Sequence, residues 1–86
     1  MKTRKKTYGN ANVVGKNIER LRKARGIKQK DFIAMIQTTG CDINPTSYSK
    51  LEGQLKVATD KEIYAIAKVL NVKLEELFNQ NEDNLN

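Results

Sequence analysis

The chain is predicted to fold as an all-α domain of five short helices. Three observations carry that expectation. Apolar residues recur at three- and four-residue spacing in successive segments. Helix-opening and helix-stopping residues punctuate those segments, and no stretch reads as a credible strand.

Residues 1–10 are basic and polar without periodicity, and are expected to form a flexible arm. Val14, Ile18 and Leu21 then fall at helical spacing, with Ala24 and Ile27 extending the apolar set, so a first helix is expected over about 12–25. Gly26 supplies a left-handed stop. A second helix should run from 28 or 29 to about 38, with Phe32, Ile33 and Ile36 inward and Asp31 complementing the dipole in its first turn. Gly40 ends it, and residues 38–42 form a connector.

Asn44 is a good N-cap and Pro45 suits the first helical position, where its missing N–H costs nothing. The third helix then runs to 52 and stops at Gly53. Thr59-Asp-Lys-Glu62 has the spacing of a capping box and opens a fourth helix, with Ile63, Ile66, Ala67 and Leu70 as its buried stripe and Asn71 as its stop. Val72, Leu74, Leu77 and Phe78 mark a short fifth helix. Residues 79–86 are polar and expected to be disordered. The division is thus an arm over 1–11, a folded domain over 12–78 and a tail over 79–86.

Size and composition narrow the function classes. Eighty-six residues make one domain. No apolar run approaches the roughly 18 residues of a membrane span and no signal-peptide pattern is present, so no membrane partner and a cytoplasmic location are expected. Cys41 is the only cysteine and histidine is absent, which removes an internal disulfide and the usual metal-ligand clusters. Cys41 reads as a turn residue rather than a redox sensor, and neither metal nor cofactor is expected. Without histidine, a glycine-rich phosphate loop or a carboxylate pair in a cleft, an enzyme is not expected either; Glu75 and Glu76 read as a solvated helix side.

The net charge of +6 is unevenly placed. Residues 1–30 carry eleven Lys/Arg and the single Glu19, a balance of +10, whereas residues 31–86 carry five Lys and nine Asp/Glu, a balance of −4. A basic front half joined to a mildly acidic back half points to a polyanion-binding face.

On the third helix, at about 100° per residue, Tyr48 and Leu51 define one side, with Asn44 in the same sector. Thr46, Ser49, Lys50 and Gly53 fall on the other. Short hydroxyls at Thr46 and Ser49 can donate to or accept from base edges, and Lys50 can reach a guanine O6/N7 pair or a phosphate.

Residues 14–78 resemble the helix-turn-helix family of phage repressors and Cro proteins, the XRE-type regulators. The landmarks are Ile18-Glu-Arg-Leu-Arg22 with Gly26, Gln29-Lys-Asp-Phe32, Tyr48-Ser-Lys-Leu-Glu-Gly53, Ile66-Ala-Lys-Val-Leu-Asn-Val72 and Leu74-Glu-Glu-Leu-Phe78. Each is weak alone; their order along three quarters of the chain is specific. The resemblance implies a five-helix, lambda-repressor-like DNA-binding domain. It implies that Gln29 contacts a phosphate, that Thr46, Ser49 and Lys50 read bases, and that Gln54 and Lys56 touch the DNA backbone. It also implies a structural ion pair between Arg22 and Glu52. Two features depart from the family pattern. The link from Ile36 to Ile43 is longer than the tight turn of the best-known members, and Ile33 stands where a small residue is usual, which predicts a more open crossing of the second and third helices.

The expected function is therefore a sequence-specific transcriptional regulator, a repressor, that binds double-stranded DNA as a homodimer. Lys28, Gln29 and Lys30 at the second helix and Ser47 at the third would hold phosphates, the arm residues Lys2 to Lys6 would lie in the minor groove or along the backbone, and the surface around Leu74, Leu77 and Phe78 would form the dimer contact, with at least two of these three in the core. The competing reading is an antitoxin or adaptor that binds a protein partner, a toxin or another regulator, through the fourth and fifth helices. RNA binding is a weaker third reading, because Tyr8, Tyr48, Tyr64, Phe32 and Phe78 make no evident stacking platform.

Overall fold

The computed structural model describes residues 7–79, which form α1 (Gly15–Ala24), α2 (Gln29–Thr38), α3 (Pro45–Glu52), α4 (Asp60–Leu70) and α5 (Leu74–Leu77). The arm residues Lys2 to Lys6 and the tail beyond Asn79 lie outside the described residues. No strand occurs among the described residues, so the all-α expectation holds.

α1 packs on α3 and α4, α2 packs on α3 and α4, and α5 closes against α4. Ile18, Phe32, Ile36, Tyr48, Leu51, Ile66, Leu70 and Leu77 fill the space between them and are sealed from water. Each such side chain contributes about 1.5–3 kcal/mol relative to exposure. The Phe32 and Tyr48 rings meet edge to face with centroids 5.7 Å apart, tying α2 to α3 at the centre.

The helix punctuation follows local chemistry. Gly26 and Gly40 take positive φ, and Asn71 closes α4 in the left-handed conformation. The capping box is complete: Thr59 Oγ1 accepts from Glu62 N at 3.1 Å and Glu62 Oε1 accepts from Thr59 N at 2.9 Å. The Asn44 side chain accepts from Ser47 N at 2.8 Å ahead of Pro45.

Several expectations need correction. α1 begins three residues later than predicted, because Asn12 acts as a clamp rather than a helical residue. Its Oδ1 accepts from Val14 N and Gly15 N, while its Nδ2 donates to Leu51 O and Lys56 O. Ala24 is exposed on the last turn of α1. Asn44 is exposed too, since its extended backbone precedes the helix and a helical projection does not apply to it. On α4 the buried set is Ala65, Ile66, Ala67 and Leu70, with Ile63 at its half-buried margin. Of the three fifth-helix residues, Leu77 alone is buried; Leu74 and Phe78 are 49% and 44% exposed. α5 is a single turn and turns one side chain inward.

The largest correction concerns residues 8–11, expected to be free. Gly9 N donates to Gly53 O at 2.8 Å and Ala11 N to Gln54 O at 2.9 Å, so this segment runs along the end of α3. It covers Gly53, which is buried rather than on the outer face. The Tyr8 hydroxyl donates to Glu19 on α1, and burial together with that carboxylate pushes the phenol up to about 12. Gly15 faces the same corner. A Cβ there would come within 2.4 Å of Leu51 O and 2.6 Å of Glu52 O, so its missing side chain lets α1 start against the end of α3.

Candidate nucleic-acid interface

α3 is amphipathic in the sense its sequence requires. Tyr48 and Leu51 are fully buried, while Thr46, Ser49 and Lys50 are exposed. These three line one open groove together with Gln29 and Pro45, and with Leu55 from the turn after α3. A second open cleft, lined by Ile33, Ala34, Gln37 and Pro45, separates α2 from α3 on their outer side.

A buried cluster beneath the groove sets the positions of its walls. Arg22 of α1 donates through Nε to Glu52 Oε2 at 2.8 Å and through Nη2 to Oε1 at 3.2 Å. Its remaining Nη1 donates to Ile27 O at 2.7 Å. Gln29 Nε2 donates to Glu52 Oε1 at 2.9 Å and the Tyr48 hydroxyl to Oε2 at 2.6 Å. Glu52 is 1% exposed, so its charge is matched by Arg22 and by neutral donors and does not open onto the groove. Hydrogen bonding to Glu52 holds the Arg22 guanidinium above its ordinary pKa against the opposing effect of burial. Burial, then the bond to Glu52, drives the Tyr48 phenol far above its usual range and keeps it a donor. One carboxylate thus ties together α1, the start of α2 and the end of α3.

The cations divide into two groups. Lys28, Lys30 and Lys50 are exposed, and no hydrogen bond or ion pair engages their side chains among the described residues. Lys28 and Lys30 flank the N-terminus of α2, which has no side-chain cap and whose first N–H groups carry partial positive charge. Lys56 is engaged internally: its Nζ donates to Glu62 Oε1 and Oε2 at 2.9 and 3.0 Å and to Val57 O at 2.9 Å. Gln54 is engaged at both ends, with Oε1 accepting from Lys16 N at 3.1 Å and Nε2 donating to Gly9 O at 3.0 Å. The structure therefore brings Thr46, Ser49, Lys50 and Gln29 to one groove and turns the side chains of Gln54 and Lys56 to holding the loop after α3. The main-chain N–H of Ser47 is taken by Asn44.

Leu55 was not foreseen at this surface. The usable signal is local: an apolar residue directly after a helix-ending Gly-Gln pair, where the turn back toward α3 leaves little to bury it. Cys41 is half-buried, and burial pushes its thiol up, which leaves little nucleophilic thiolate. Among the described residues no helix is long and apolar enough to cross a membrane, and no cluster of three or more His, Cys, Asp or Glu is placed to hold a metal ion.

Among known protein families, one described as helix-turn-helix matches residues 18–77. The matched span begins inside α1, ends at the last residue of α5 and contains α2, α3 and all of the groove-lining residues. No curated protein and no solved structure gives a match.

Proposed function

The chain belongs to this helix-turn-helix family of DNA-binding regulators, and from that premise we propose that it reads a defined duplex sequence with α3 and acts as a repressor. The observation that carries the reading is the groove itself. Thr46, Ser49 and Lys50 line it beside Gln29, with the unengaged Lys28 and Lys30 at its flank.

In this proposal α3 enters the major groove. Lys50 addresses a guanine or a neighbouring phosphate, and the Thr46 and Ser49 hydroxyls adapt to donor or acceptor groups on adjacent base edges. The uncapped start of α2, with the main-chain N–H of Gln29 and the side chains of Lys28 and Lys30, holds a phosphate and sets the register. Ser47 offers its hydroxyl to the same strand. Gln54 and Lys56 act as positioning residues, keeping the loop after α3 against the backbone. The basic residues Lys2, Arg4, Lys5 and Lys6 precede Gly9, which is anchored to Gly53 and Gln54 at the end of α3, and they serve the flanking phosphates.

Leu74 on α5 and Phe78 just after it, both exposed, supply an apolar contact between two copies. A dimer doubles the few base contacts one subunit offers, and repression then needs only occupancy of the site. The test is selection from a random duplex library at fixed salt. The expected product is an inverted repeat with half-site centres about 34–36 Å apart. Recovery of no preferred sequence overturns the reading, and a single unrepeated half-site overturns the dimer.

A further inference from the structure

Leu55 is 63% exposed, yet it forms one wall of the groove that holds Thr46, Ser49 and Lys50. An exposed leucine is unremarkable by itself. This one stands on a backbone that a closed turn fixes. Gly53 ends α3, Gln54 takes the left-handed conformation at φ 62°, and Leu55 N donates back to Lys50 O at 2.7 Å to close the turn. The left-handed glutamine is secured by its own side chain, which bonds Lys16 N and Gly9 O, and by its carbonyl, which accepts from Ala11 N at 2.9 Å. One edge of Leu55 rests on Gly9, where a Cβ would lie 2.8 Å from Leu55 Cδ2, and the remainder of the side chain is open. Little backbone ordering therefore remains to be met when a ligand fills the groove.

The geometry points to Leu55 as a specificity-determining residue that reads the C5-methyl group of a thymine beside the base pairs addressed by Lys50 and Ser49. Among the groups that base pairs present in the major groove, the thymine methyl is the apolar one, so it is the natural complement to an aliphatic wall. Val57 is still more exposed but does not line the groove, and no such role falls to it. The assignment rests on α3 reading DNA and adds to that reading a base preference through shape rather than hydrogen bonding.

The test starts from the duplex that the full chain selects. Each thymine of a half-site is replaced in turn by uracil, which removes the methyl and leaves every hydrogen-bonding group in place. At one position the full chain is expected to lose about fourfold in affinity, the worth of one buried methyl. Leu55→Ala should bind the thymine duplex more weakly by a similar factor and be indifferent to uracil at that position. Leu55→Met should keep the discrimination. Hydrogen exchange at the Gly9 and Ala11 amides checks that the neighbouring segment stays docked. The inference is overturned if Leu55→Ala weakens thymine and uracil duplexes equally at every position, if it has no effect, or if the selected half-site contains only G·C pairs. Failure of the full chain to select any sequence would instead overturn the reading of α3 itself, and this inference with it.

Discussion

Arg22 on α1 and Glu52 at the end of α3 form a two-point ion pair, and the carboxylate is shared with the Tyr48 hydroxyl and the Gln29 amide. Both charged side chains are nearly sealed from water, at 7% and 1% exposure. Breaking such a pair from one side strands the other charge, at a cost of about 3–5 kcal/mol. The two truncations should differ. Arg22→Ala leaves Glu52 the Gln29 amide and the Tyr48 hydroxyl as donors, whereas Glu52→Ala leaves a buried guanidinium, a hydroxyl and an amide without their acceptor. Glu52→Ala is therefore expected to be the more destabilising in urea unfolding. The double variant Arg22→Met with Glu52→Leu should recover only part of the loss, because the Tyr48 hydroxyl stays orphaned at about 1–3 kcal/mol. Adding Tyr48→Phe should recover more.

Gly15→Ala tests the contact between the start of α1 and the end of α3. In an ordinary helix this change is favourable by about 1 kcal/mol. Here the new methyl meets two main-chain oxygens, Leu51 O at 2.4 Å and Glu52 O at 2.6 Å. Leu51 O is also held by Asn12 Nδ2 at 3.0 Å and cannot swing aside cheaply. Overpacking against backbone costs about 1–3 kcal/mol and should outweigh the helical gain. The expected result is a lower urea midpoint. DNA affinity should also fall by a similar factor for every sequence, since α3 shifts as a body.

The two kinds of residue at this surface were not equally legible in the sequence. The caps at Asn44 and Thr59, the stop at Asn71 and the inward set Phe32, Ile36, Tyr48 and Leu51 are short-range patterns, readable from spacing alone. Which side of α3 is free follows from that same spacing. Gln54 and Lys56 are different. A glutamine or lysine after a helix serves a phosphate or clips the chain according to its long-range partners, and those partners, Gly9 and Glu62, are set by the tertiary fold. Residues 8–11 carry no periodicity because backbone bonds to Gly53 and Gln54 and a tyrosine–glutamate contact hold them. Asn12, at the head of the expected first helix, spends both ends of its amide on pinning that corner. The Arg22–Glu52 partnership came from the family resemblance; periodicity gives no reason to pair those two residues across thirty positions.

Glu62 should make the fold sensitive to acid. Burial alone would raise its carboxyl, but the Thr59 N–H and the Lys56 ammonium outweigh that effect and hold it below the ordinary value of 4.5. A carboxyl depressed in the folded state adds stability at pH above its unfolded value, and that stability is lost as pH falls through the folded value. Glu62→Gln should therefore be less stable than the unmodified chain near neutrality, by about 0.2–1 kcal/mol for the lost ion pair with Lys56, since a glutamine can still complete the capping box. The two should converge as the pH is lowered below the ordinary carboxylate range. Urea midpoints collected against pH check both the gap and its closing; a gap independent of pH would remove the carboxylate from the explanation.

Lys50 and Lys28 separate base reading from phosphate holding. Both are exposed and neither side chain is engaged within the described fold, so replacing either leaves no buried partner stranded and should cost little stability. Their placements differ: Lys50 lines the groove beside Thr46 and Ser49, while Lys28 stands ahead of α2 at its uncapped end. Lys50→Ala is expected to weaken the selected duplex by about 1–3 kcal/mol and to relax preference at one base pair. Lys28→Ala should weaken selected and random duplexes alike, and lower the slope of log affinity against log salt by about one. Binding isotherms on both duplexes at several salt concentrations distinguish the roles. A Lys50→Ala variant that loses affinity uniformly, with base preference intact, would move Lys50 to the phosphates and leave direct reading to the hydroxyls and Leu55.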